Sequence, residues 1–208
     1  MVVVGDLAAS LSTPNYSPVR DSISSLALTS IGWLQSICFL AMGLLEVLFV
    51  AGLFFNIRRA RGFHPGIGLL ALCGFGLLLI AAFRMDPAGA PRTIEGIIHT
   101  VASYGLGLLF PIAILLLTPS LKSDPNWKSI FVYTLVAGVL ALALVAGLFL
   151  SDQTGWFGLY ERIIVANAII WVEVIAVHFL LLRRARSISQ DAGKSRRGVD
   201  VCIRGRRD

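Results

Sequence analysis

The sequence predicts an all-α, polytopic transmembrane bundle of five spans, and three observations carry that prediction. Of 208 residues, 56% are apolar and 14% charged, which leaves too few polar side chains to cover a water-soluble globule. Mean hydropathy is +0.80. The apolar residues gather in five runs, at 31–55, 66–83, 97–118, 129–150 and 163–182. Each is close to the ~20 residues that a helix needs to cross a ~30 Å hydrocarbon core. The chain therefore divides into an N-terminal segment, 1–30, a membrane domain, 31–182, and a basic tail, 183–208.

Within the N-terminal segment, Ser17 before Pro18 reads as an N-cap with proline at the first helical position. A short helix is expected there, placing Ile23, Leu26 and Ala27 on one face along the outer membrane interface. Between the spans, basic residues divide unevenly. Arg58, Arg59, Arg61, Lys122 and Lys128 fall on one side, together with nine in the tail: Arg183, Arg184, Arg186, Lys194, Arg196, Arg197, Arg204, Arg206 and Arg207. Arg20, Arg84, Arg92 and Arg162 fall on the other. By the positive-inside rule the larger set faces the cytoplasm of a plasma-membrane protein, with the C-terminus inside and the first thirty residues outside. Nothing in residues 1–30 resembles a signal peptide, so a sixth helix before Met1 is expected in the natural family.

Asp191, Asp200 and Asp208 leave the tail with the whole formal charge of +6. It has the composition of a disordered segment attracted to anionic headgroups. Membrane lipids are the expected partners. Nucleic acid is not, because the basic residues lack interleaved aromatics. Cys38 and Cys73 lie in apolar runs and Cys202 in the tail, with no CxxC and no Cys/His cluster. They read as buried filler residues, with no disulfide framework, metal site or cofactor implied.

Two loops share a pattern: Asp86 to Gly89 leading to Glu95 and Ile97-Ile98, and Asp152 to Gly155 leading to Glu161 and Ile163-Ile164. The register suggests a duplicated helical hairpin. Glu95 and Glu161 also suit a helix N-terminus through the dipole alone.

Short motifs carry a family resemblance. Asn15-Tyr16-Ser17-Pro18 with Asp21-Ser22-Ile23-Ser24-Ser25-Leu26, Phe83-Arg84-Met85-Asp86-Pro87, Gly96-Ile97-Ile98-His99 and Gly158-Leu159-Tyr160-Glu161-Arg162-Ile163 resemble the family called domain of unknown function 998. The resemblance covers about 15–182 and implies a multipass membrane protein without an assigned activity. Members carry a hydrophobic helix before the Tyr-Ser-Pro segment, in keeping with the sixth helix expected above.

The polar residues of these motifs gather at one depth, the outer end of the bundle. Arg20, Asp21, Ser24, Arg84, Asp86, His99, Ser103, Glu161 and Arg162 are the candidate ligand-binding residues, able to form a rim with both signs of charge. The competing account is a set of ion pairs between loops, each contributing ~0–1 kcal/mol if exposed. His99 and Ser103 share a helix face, and His99 oriented by Asp86, with Ser103 or Ser22 as nucleophile, spells a weak hydrolase pattern. Within the spans lie Glu46 and Glu173. Intramembrane acids are costly and mark functional sites by default, so they are candidates for proton coupling. Gln35 shares a face with Glu46, whereas Glu173 points ~120° from the line of Asn167, Trp171 and His178. The competing account of both acids is hydrogen-bonded glue between helices. Gly74, Gly76, Gly105, Gly107, Ala137 and Ala141 suit close helix approach, and Pro111 suits a kink in the third span.

The function expected is non-enzymatic: binding, sensing or moving a lipid or small amphiphile at the outer cluster. A proton-coupled transporter using Glu46 and Glu173 is the second reading, and an intramembrane hydrolase on His99 the third.

Overall fold

A computed structural model describes residues 2–151 and 155–204. The described residues form helices α1 (Val2–Ser12), α2 (Gly32–Asn56), α3 (Phe63–Ala82), α4 (Ile94–Ser123), α5 (Phe131–Ser151) and α6 (Phe157–Arg204), with 3-10 turns at Ile23–Leu28 and Lys128–Ile130 and no strand among them. Five helices are long and apolar enough to cross a membrane. They match the five runs of the sequence, because in lipid a backbone must satisfy its own hydrogen bonds and an apolar run has only the helix available. The chain forms two units, Met1–Ile169 and Ile170–Asp208.

In the first unit, α2, α3, α4 and α5 pack in sequence, and α1 lies on α2. The small residues set how closely they approach. A Cβ on Gly43 would stand 3.0 Å from the Gly74 carbonyl, and one on Gly66 would stand 3.0 Å from that of Ala113. Ala137 and Ala141 are 5% and 2% exposed. Gly105 differs from expectation, since a Cβ there would meet nothing within 4 Å. α4 runs unbroken with Pro111 and Pro119 inside it.

At the end carrying Arg58, Arg59, Arg61, Lys122 and Lys128, here the basic end, Asp124 closes the α2–α3 link. Its Oδ2 accepts from the Arg58 N–H at 2.9 Å. The Ser120 hydroxyl accepts from Ala60 N–H at 3.2 Å, and buried Trp127 donates its indole N–H to the Asn56 carbonyl at 3.2 Å. Gly62, at φ 86°, starts α3 against the Leu116 carbonyl, where any side chain would collide.

The N-terminal segment departs from expectation twice. Residues 2–12 form a helix, about 16 Å long at 1.5 Å per residue, in addition to the short helix expected after Ser17. The helix expected from Pro18 is instead a turn, with Arg20 and Asp21 N–H both bonded to the Ser17 carbonyl. The helical segment begins at Ile23 as a 3-10 turn capped by Ser22, not Ser17. The carbonyls of Pro18, Asp21 and Ser22 accept from Arg162 and Tyr16, which draws them out of a helical ladder. Ile23, Leu26 and Ala27 do share a face, but at 6%, 0% and 6% exposure they are packed with α1 and α2.

In the second unit the helix continues to Arg204, where the tail's composition predicts disorder. The segment holds no proline after Pro125, and its arginines, lysine and alanines favour helix.

Candidate functional site

Opposite the basic end lies a polar end, built from residues 13–31, the α3–α4 loop and the start of α6. Its centre is Arg162, whose forked guanidinium suits several acceptors at once. Nε and Nη2 donate to the two Asp6 carboxylate oxygens at 3.1 and 3.0 Å. Nη1 donates to the carbonyls of Pro18, Asp21 and Gly158 at 2.8, 3.1 and 3.2 Å, and Nη2 also donates to the Tyr16 hydroxyl. The Tyr16 hydroxyl donates in turn to the Ser22 carbonyl at 2.8 Å. Burial pushes the Tyr16 phenol above its ordinary range, against the pull of Arg162. Beside this clasp, Glu161 Oε2 accepts from Ile23 N–H at 2.7 Å and Leu159 N–H bonds the Val19 carbonyl at 2.9 Å. A helix start, a loop and α1 are thereby held by one cation.

Asp21 takes the Ser17 N–H at 2.7 Å and the Arg20 guanidinium at 3.2 Å. The Ser17 bond first, then Arg20, holds its carboxyl below the usual range. Ser24 is buried in the 3-10 turn. Asp86 serves α4: Thr93 donates its N–H to Oδ2 at 3.0 Å and its hydroxyl to Oδ1 at 2.7 Å. The same hydroxyl accepts from Gly96 N–H at 3.0 Å as the N-cap. These two Thr93 bonds depress the Asp86 carboxyl, with Arg92 adding a smaller effect. A carboxyl lowered by folding contributes stability above its unfolded value, ~3.9, and loses it as pH falls through the folded value. The Thr93 amide resonance is therefore expected to titrate with a midpoint below ~3.9, and Thr93→Val should move that midpoint up. A midpoint unchanged by the substitution would remove Thr93 as the cause.

His99, 3% exposed, points Nδ1 at the Phe83 carbonyl at 2.8 Å. A carbonyl only accepts, so Nδ1 carries the proton and Nε2 is an acceptor in the neutral ring. Nε2 is buried without a hydrogen-bond partner. Ser103 donates to the His99 carbonyl at 2.9 Å, one turn back along its own helix. The hydrolase geometry is not assembled: Asp86 bonds Thr93, the His99 proton goes to Phe83, and the Ser103 donor goes to backbone.

Arg84 and Arg92 are exposed and belong to neither ion pair of the described residues, Arg20–Asp21 and Arg162–Asp6. At the start of α4 lies a groove of about 250 Å³, lined by Met85, Asp86, Arg92, Gly96, Ile97, Thr100 and Val101 among others. A Cβ on Gly96 would strike the Asp86 carboxylate, so glycine is required where the groove meets the cap.

These geometries coincide with the sequence motifs that stand out along the chain. The pattern of the family described as "Protein of unknown function (DUF998)" matches residues 1–178. The chain belongs to that family. The family match begins earlier than the motif resemblance and takes in α1 with Asp6, the partner of Arg162. No curated protein and no solved structure matches the chain.

Sequence reasoning brought Arg20, Asp21, Ser24, Arg84, Asp86, His99, Ser103, Glu161 and Arg162 to one end, and Arg162 is bonded to the backbone of Asp21. It missed Asp6, Tyr16 and Thr93 as their partners. Asp6 alone in an apolar stretch was a signal for the first, and threonine before an apolar run was a signal for the cap. The two loops of the suggested repeat share a positive-φ glycine, Gly89 at 79° and Gly155 at 75°. Their acids differ in role: Glu95 is exposed, while Glu161 holds Ile23. Asp152, Gln153 and Thr154 of that pattern lie outside the described residues. Glu46 is buried on α2, and Glu173 lies on α6 in the second unit.

Proposed function

We propose that this integral membrane protein binds an anionic lipid or amphiphile in the groove between Arg92 and α4. The observation that carries the reading is a guanidinium outside both ion pairs, standing beside a lipid-accessible apolar helix face. Ile97 and Val101 are 48% and 67% exposed at the spacing that lines one side of a helix. A headgroup phosphate or carboxylate suits Arg92, with Arg84 nearby in sequence, and an acyl chain suits Ile97 and Val101. Asp86 lines the same groove but forms no ion pair with Arg92, and Thr93 donates to both of its oxygens. The candidate site thus narrows from the whole polar rim to its α3–α4 side, since Arg162, Glu161 and Asp21 are engaged in holding the fold.

In this reading the polar end faces outward at the plasma membrane. The basic end and the tail face the cytoplasm, where anionic headgroups attract them at ~1 kcal/mol per nearby basic residue. The test is native mass spectrometry of the full chain released from nanodiscs containing phosphatidylglycerol, beside Arg92→Ala. A lipid retained by the wild type and lost by the variant is expected. Identical adducts in both would overturn the site, and the Arg162 clasp, untouched by the substitution, keeps the fold intact for comparison.

A further inference from the structure

Glu46 is the fifteenth of the 25 residues of α2, which sets it about 21 Å along the helix from Gly32 and about 15 Å from Asn56. It lies near the centre of the span. The residue is 9% exposed, and its Oε1 is buried without a hydrogen-bond partner. Its stem rests on α3 at Gly74, where a Cβ would stand 3.3 Å from the Glu46 Cγ. The glycine makes the space that the acid occupies.

Eleven residues earlier, about 16 Å along the axis and ~20° around it, lies Gln35. It is 0% exposed, and neither Oε1 nor Nε2 has a partner. A side chain serving as glue between helices makes interhelical bonds; the Gln35 amide and Glu46 Oε1 make none. A buried polar group left without a bond loses its hydration and gains nothing in return. Leucine or methionine at 35 and 46 would pack the same face without that cost.

We propose that Glu46 is a proton-exchanging carboxyl at the centre of the bundle, reached from the polar end along the α2 face that carries Gln35. A charged acid at mid-span is costly to hold in the membrane, and taking up a proton removes the charge. The Gln35 amide both donates and accepts, so it can join a hydrogen-bonded chain between the polar end and the acid. Among the described residues the elements that pack most on α2 are α1, the 3-10 turn and α3, and their titratable groups are few. Asp6 of α1 is engaged by Arg162, the 3-10 turn has none, and α3 offers His64 at its far end and the buried Cys73 thiol beside Gly74. No basic side chain on these elements faces Glu46. A proton is favoured over a metal ion because no group of three His, Cys, Asp or Glu ligands forms among the described residues, and hard cations need several oxygen ligands. This site is separate from the Arg92 groove and stands or falls independently of it.

The test uses the full chain in sealed liposomes and dicyclohexylcarbodiimide, an apolar reagent that adds to a protonated carboxyl and rearranges to a stable N-acylurea. Peptide mass spectrometry locates the adduct. Labelling at Glu46 is expected, abolished in Glu46→Gln, and falling about tenfold per pH unit once the acid titrates. After a pH jump on the polar side, Gln35→Leu should slow the change in labelling. No adduct at Glu46, or one indifferent to pH from mildly acidic to alkaline buffer, would overturn the proton site. An unchanged response in Gln35→Leu would overturn the route. Glu46→Asp, which keeps the acid, guards against a variant that merely misfolds: it should label with the same pH trend.

Discussion

Arg162→Ala is expected to lower the thermal midpoint of the detergent-solubilised protein by roughly 6–12 °C. The substitution leaves the Asp6 carboxylate without its cation and removes the donor from three backbone carbonyls and the Tyr16 hydroxyl. Removing one partner of a buried pair costs about 3–5 kcal/mol. The side chains of Arg162 and Asp6 are 17% and 19% exposed, so solvent screening places the loss near the lower figure, ~3 kcal/mol. At roughly 2–4 °C per kcal/mol for a chain of this size, that gives the stated shift. Arg162→Lys should recover little, because an ammonium cannot fork across Asp6 and the carbonyls together. Thermal unfolding followed by tryptophan fluorescence measures both variants. A shift of a degree or two would reduce the clasp to an ordinary surface pair.

The second large effect is expected at Gly43. A Cβ there would stand 2.7 Å from the Leu78 Cδ2 and 3.0 Å from the Gly74 carbonyl. The leucine can turn away, but the carbonyl belongs to the α3 backbone and moves only if the helix does. Overpacking of this kind costs about 1–3 kcal/mol for small additions, and Gly43→Val adds more bulk than one methyl. α2 and α3 should then part at the level of Cys73, which is 3% exposed in the native packing. In a Cys38→Ser, Cys202→Ser background, Cys73 is expected to resist a membrane-permeant maleimide in the otherwise native chain and to react in Gly43→Val. Equal protection in both would mean that the helices absorb the side chain without separating.

Both predictions rest on partners that a linear reading does not supply. Arg162 stood out because it is basic and lies beside an apolar run, but its partner is 156 residues away, beyond any local pattern. Ser17-Pro18 has the composition of a helix start, yet Arg162 and Tyr16 claim the nearby carbonyls and Ser22 becomes the cap. Thr93, by contrast, is a local cap whose signal was present in sequence, with the helix beginning at Ile94 rather than three residues later. Gln35 and Glu46 were placed on one face by helical period alone. That their polar atoms go unsatisfied could be learned only from the neighbours that surround them.

Five apolar runs were enough to predict a helical membrane protein and to place its five candidate spans. Hydrophobic length and helical period are properties of contiguous residues, and lipid permits few alternatives to a helix. Which polar residues hold the fold and which stand outside any ion pair among the described residues depends on how the bundle packs. A charge is available only if no partner reaches it, and those partners come from segments that meet when the bundle packs. Arg162 and Arg92 are the same residue type on the same end, one enclosed by α1 and the Tyr-Ser-Pro loop, the other open above α4.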